Sequence, residues 1–170
     1  MREGLERLRV AWRRDGFIHG DVRWENLVVA PDSTVRLVDW ERASPGDPLF
    51  DLGAAAAEYL RSWLSSVAAG PTADLEQLQR FADRPFAVMA PELRSLWQAY
   101  ADGRELDSAA RRTTFARCVP FVAVRLIASA FEQTQETERL TAEVALTLQT
   151  AENLFAWPWQ ASARALGIDP

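Results

Sequence analysis

The segment from His19 to Asp39 leaves the chain few ways to fold. A polar stretch, Gly20-Asp21-Val22-Arg23-Trp24-Glu25-Asn26, runs straight into two β-forming runs, Leu27-Val28-Val29-Ala30 and Val35-Arg36-Leu37-Val38. Between them lies Pro31-Asp32-Ser33-Thr34, four residues of turn composition. Two such runs joined by so short a turn predict a β-hairpin. The hairpin would bring the loop before it and Asp39 after it side by side. Phe17-Ile18-His19 reads as a further short strand entering the loop.

The remaining pattern is helical. Leu5, Leu8 and Trp12 are spaced for one face of a helix over 3–15 that Gly16 should end. After Pro48 the spacing predicts a long apolar helix over 49–68, closed by Gly70. Thr72 can cap a helix over 73–82. Helices are expected over 91–101 (Leu93, Leu96, Trp97, Tyr100), over 107–133 with a kink at Pro120, and over 138–156 (Leu140, Val144, Leu148, Ala151, Phe155). One more short helical piece is expected beyond Pro158. The fold class is therefore α+β, mostly α: a small hairpin carrying the polar motifs, backed by about five helices. With no linker composition to divide it, residues 1–170 are expected to form a single domain. Trp63, Trp97, Phe115, Phe121, Phe131 and Phe155 fall on apolar faces and are expected in the core. Trp157-Pro158-Trp159 is less regular and reads as tail packing, with a surface patch as the alternative.

Bulk composition excludes several classes. A net charge of −5 argues against a nucleic-acid-binding surface, which needs a basic face. The charged start, Met1-Arg2-Glu3-Gly4-Leu5, has no signal-peptide core, and no fully apolar run approaches the ~20 residues of a membrane span. No membrane role is expected. Cys118, the single cysteine, sits in an apolar run, reads as a buried inert thiol and fits a reducing cytoplasm.

The residue types in the polar segment suit phosphoryl transfer. That reaction needs an acceptor hydroxyl aimed in line, metal ions on the phosphates and neutralised charge. An aspartate can take the hydroxyl proton. An asparagine oxygen and a second carboxylate are hard ligands suited to magnesium. Asp21 precedes Asn26 by five positions, and Asp39 lies 18 beyond Asp21 at the end of a strand. Turn and capping chemistry is the plainer reading of the same three residues.

His19-Gly20-Asp21 with Asn26, then Asp39-Trp40-Glu41, then Gly46-Asp47-Pro48 with Asp51-Leu52, resembles the catalytic core of aminoglycoside phosphotransferases. That superfamily includes choline, homoserine and fructosamine kinases and shares its fold with protein kinases. The match covers residues 17–53 closely and the helical remainder only in outline. The resemblance implies a protein-kinase-like C-terminal lobe, with Asp21 as catalytic base and Asn26 and Asp39 as magnesium and nucleotide ligands. It implies that His19 and Asp51 brace the loop. Arg23 and Glu41 are candidate supporting residues, Asp47 a capping or bracing one. ATP and Mg2+ are the implied cofactors.

The resemblance also implies an N-terminal lobe with a phosphate-covering loop and a lysine. Here all 19 basic residues are arginine, and the eight glycines are too scattered for such a loop. Arg13 or Arg14 could offer charge, but arginine is a different donor from lysine. The N-lobe is therefore expected to be absent from this chain: supplied by a protein partner, carried by a longer kinase of which this is a fragment, or missing from a lobe kept for binding only. The expected activity is Mg-ATP-dependent transfer to a hydroxyl, on a small molecule of aminoglycoside type or on a Ser or Thr of a peptide. The competing reading is a non-catalytic kinase-like subunit that scaffolds or regulates another enzyme.

Overall fold

The structure, a computed structural model, describes residues 1–66 and 86–158. Helix α1 (Arg2–Ala11) leads to strand β1 (Gly16–Ile18). A 3-10 turn (Trp24–Asn26) precedes the hairpin strands β2 (Leu27–Val29) and β3 (Val35–Leu37). A second 3-10 turn (Trp40–Arg42) leads to β4 (Ser44–Gly46). Four helices follow among the described residues: α2 (Leu49–Ser65), α3 (Phe86–Gly103), α4 (Ser108–Thr137) and α5 (Ala142–Ala156). The fold is α+β and mostly helical, as expected. The Gly70 expected to close the helix over 49–68, the cap at Thr72, the helix over 73–82 and the piece beyond Pro158 lie outside the described residues.

The hairpin forms as predicted, with Leu27 opposite Leu37, Val28 opposite Arg36 and Val29 opposite Val35. Its turn is closed by the Asp32 carboxylate, which accepts from the Thr34 amide at 3.0 Å, and by Ser33 in the left-handed region. A second antiparallel pair was not expected. β1 pairs with β4, Phe17 opposite Pro45, so the chain entering the loop and the chain leaving the motif region are tied at the base.

Helix α1 ends four residues before the expected Asp15. Trp12 leaves the helix and packs edge-on against Phe50 and Phe121, both ring centroids at 5.7 Å. Gly16 then belongs to β1 rather than to a helix end.

The core lies between α2, α4 and α5, where Leu60, Leu64, Val119, Val122, Leu126 and Leu154 are buried. Helices α2 and α4 approach to backbone contact: a Cβ on Gly53 would stand 2.6 Å from Phe121 Cβ. Helix α3 continues through Pro91 and adds Met89, Leu93 and Trp97. Trp97 meets Phe115 edge-on at 4.9 Å. Helix α4 runs through Pro120 and is capped by Asp107, which accepts from the Ala109 and Ala110 amides. By length and composition α4 is apolar enough to cross a membrane, but 56% of its apolar window is buried within the fold, as in a core helix.

Five of the six expected core aromatics are buried. Phe131 is not: it is 67% exposed. Leu140 is also a correction, 73% exposed, because α5 starts only at Ala142 with Thr141 as its cap. Trp157 is exposed rather than packed. Cys118 is a free, buried thiol whose pKa burial pushes up to about 12.

Candidate active site

The motif residues are brought together by a short chain of hydrogen bonds. The loop begins at His19 and Gly20, whose amides both donate to the Asp51 carboxylate, at 2.6 and 3.0 Å. Asp51 lies in the first turn of α2, so the loop is anchored directly to the helical body. Gly20 has φ +81, and a Cβ there would stand 2.7 Å from the Arg42 carbonyl oxygen. A side chain would push the loop off the turn that follows Asp39, and only glycine takes this conformation without strain.

His19 is 2% exposed and crosses to the hairpin. Its Nδ1 accepts from the Asp21 amide at 3.3 Å, so the ring proton is on Nε2, which donates to the Val38 carbonyl at 2.9 Å. The ring also packs edge-on against Trp40 at 4.7 Å, and Trp40 Nε1 donates to Leu37 O. One side chain thus links the residue before Asp39 to Asp21 itself.

Asn26 closes the loop. Its Nδ2 donates to the Asp21 carbonyl at 2.9 Å and to Asp21 Oδ2 at 3.4 Å. The amide's donor end is engaged by Asp21, which leaves Oδ1 as the atom that could ligate a cation. The Val38 amide donates to Asn26 O at 2.9 Å, extending the hairpin ladder by one step. Asp39 follows immediately, exposed, with φ 65 and ψ 62.

The supporting residues divide. Arg23 points to the helical body, with Nε 3.2 Å from Glu25 and Nη2 3.7 Å from Glu132. Desolvation opposes its charge, but hydrogen bonding to Glu25 and the charges of Glu132, Glu25 and Asp21 raise its pKa. Glu41 stands exposed in the second 3-10 turn. Asp47 is buried; it accepts from the Leu49 amide and pairs with Arg117 at 2.6 Å, tying the start of α2 to α4.

Among the described residues no group of three or more His, Cys, Asp or Glu could hold a metal ion. The donors here are one carboxylate, Asp39, and one amide, Asn26. That set suits a magnesium ion, which is commonly bound through one or two carboxylates with waters and substrate phosphates. The hairpin and the turn after it leave apolar side chains exposed, Val28, Val29, Val35, Val38 and Trp40.

Sequence reasoning missed Glu58, whose buried carboxylate accepts from the Trp24 amide at 3.2 Å. The available signal was its position as the only charge between Asp51 and Arg61 in an apolar helix.

The sequence model of the phosphotransferase enzyme family matches residues 1–91, more than half of the chain. The chain belongs to this family. The match is consistent with the aminoglycoside phosphotransferase and choline kinase-like character of the motifs. It begins at the first residue, includes the whole motif region and ends within α3. No curated protein matches the chain. Membership supports phosphotransferase activity in general terms, and kinases of this family generally use ATP and Mg2+.

Proposed function

We propose that this chain is the catalytic, protein-kinase-like lobe of a Mg-ATP-dependent phosphotransferase acting on a hydroxyl. The observation that carries the reading is the linkage just described: His19 joins Asp21 to Val38, and Asn26 joins Asp21 to the same Val38, so Asp39 follows directly on a shared anchor. Turn chemistry alone requires no such convergence.

In this reading Asp21 accepts the acceptor hydroxyl's proton as the oxygen attacks phosphorus. The Asn26 donor bonds hold that carboxylate in place, while Asn26 Oδ1 and Asp39 bind magnesium. The bound metal–nucleotide supplies the phosphoryl group and neutralises its charge. Gly20 and Asp51 keep the loop at a fixed distance from the body. The acceptor is a hydroxyl of a small molecule or a Ser or Thr of a peptide. The exposed valines and Trp40 support a covering lobe over the nucleotide, which also supplies the lysine that this chain lacks.

Thermal unfolding with and without magnesium–ATP tests the reading. At about 100 times its Kd a ligand adds about 2.7 kcal/mol, which is several degrees for a domain of this size. The expected shift needs magnesium and disappears in Asp39→Ala. A shift that survives Asp39→Ala, or that needs no metal, would sink the assignment.

A further inference from the structure

The catalytic loop is anchored at its start by Asp51 and at its end by Asn26. Its middle is held by a different device. Three arginines and three glutamates form a closed ring in which the signs alternate. Arg23 lies 3.2 Å from Glu25, Glu25 lies 3.6 Å from Arg61, and Arg61 lies 2.9 Å from Glu58. Glu58 lies 3.7 Å from Arg125, Arg125 lies 3.1 Å from Glu132, and Glu132 returns to Arg23 at 3.7 Å. The loop contributes two members, α2 two and α4 two. All but Glu58 line a polar cavity of about 210 Å³.

The deep side of the ring is Glu58, 1% exposed, and Arg125, 8% exposed. Buried charge is a poor way to gain stability, since a well-packed apolar pair is often as good or better. Here the arrangement is not even fully satisfied: Glu58 Oε1 and the Nε atoms of Arg61 and Arg125 are buried without a hydrogen bond. What an apolar residue at 58 could not do is accept the Trp24 amide. That bond fixes the backbone midway between Asp21 and Asn26.

We infer that Glu58 and Arg125 are positioning residues for the catalytic loop. Glu58 grips the Trp24 amide, and Arg125 holds the Glu58 carboxylate at the depth where it can do so. The inference rests on the phosphotransferase reading for its functional meaning, though not for its structural test. The nearby charge on Asp21 is among the influences felt by the ring member Arg23, so ring and base are electrostatic neighbours. Positioning matters because a misplacement of about 1 Å can lower a rate by about 10²-fold.

The full chain is compared as wild type, E58M/R125M and E58Q/R125M. Both double variants remove the buried charges together, so neither leaves one unpaired. Only the glutamine restores an acceptor for Trp24. In E58M/R125M the Trp24 amide should exchange its hydrogen about tenfold faster, as expected for loss of one charge-assisted bond. Phosphate release from magnesium–ATP should fall in kcat by at least about tenfold, with KM almost unchanged. E58Q/R125M should recover much of both. Identical behaviour of the two double variants, or a Trp24 amide unaffected by either, would overturn the inference. Should E58M/R125M fail to fold, E132Q opens the ring at its exposed rim. It should still speed Trp24 exchange, and no change there would again overturn the inference. The exchange measurement needs no turnover. Its outcome therefore decides the inference whether or not the chain releases phosphate without a covering lobe, and the proposed function is tested separately by magnesium-dependent nucleotide binding.

Discussion

Leu60 in helix α2 and Asp21 in the polar motif loop are held by opposite means. Leu60 is completely buried within the apolar cluster that the helices share, and non-directional packing keeps it there. Asp21 is half-exposed, and its position depends on a few hydrogen bonds, one that its amide donates to His19 Nδ1 and those it accepts from Asn26 Nδ2. The body can lose a contact and relax. The motif region cannot, because each of its bonds is made once. The difference teaches that stability and activity should separate cleanly on mutation, and four experiments probe where that separation fails.

The largest effect is expected at Asp21. Asp21→Asn should lower phosphoryl transfer by about 10²–10⁴-fold, with the unfolding midpoint close to wild type. A large loss of stability would show that the carboxylate is part of the scaffold. Leu60→Ala should act in the other direction. It removes a buried side chain at a cost of about 2–5 kcal/mol. Each kcal/mol lowers Tm by about 2–4 °C at this size, and transfer per folded molecule should be retained.

His19 is where the two regions meet. His19→Ala removes both ring bonds and leaves Val38 O and the Asp21 amide without partners. A loss of about 1–3 kcal/mol is expected, together with a fall in transfer beyond what unfolding explains. Parallel measurement of denaturant midpoints and kcat separates the two.

The smallest effect belongs to Glu25. Its own backbone hydrogen bond, and then Arg23 and Arg61, hold its carboxyl below the ordinary 4.5 against partial burial. A depressed carboxyl stabilises in full above its unfolded value and loses that contribution as pH falls through the folded one. The group is 57% exposed, so screening limits the effect to about 0.5 kcal/mol or less. Urea unfolding below about pH 5 should be slightly less steep in pH for Glu25→Gln.

Much of this arrangement was legible in the residues. The hairpin was written in its two β-runs and turn, and the helices in their apolar spacing. The nearness of Asp21 to Asn26, and of Asp39 to the end of the hairpin, was suggested by their separation. What was hidden depended on partners distant in sequence. Strand β4 is Ser44-Pro45-Gly46, with no β-forming residue, and it is a strand only because β1 lies beside it. Helix α1 stops at Ala11 because Trp12 finds Phe50 and Phe121, which no local pattern announces. Phe131 looked like core by spacing, yet it is exposed while its neighbours Ser129 and Ala130 are buried. Glu58 and Arg125 each interrupt an apolar run, a visible anomaly, but their ring with Arg23, Glu25, Arg61 and Glu132 exists only in three dimensions.

Asp39 occupies a backbone conformation that glycine enters freely and that costs other residues about 1–2 kcal/mol. Replacement by glycine would therefore ease the fold at the expense of the carboxylate. Among descendants of this chain, a lineage released from its chemistry has a downhill path at this one codon. Under the proposed function, glycine appearing at position 39 would be an early mark of lost chemistry, and a retained aspartate the sign of continued selection for its carboxylate.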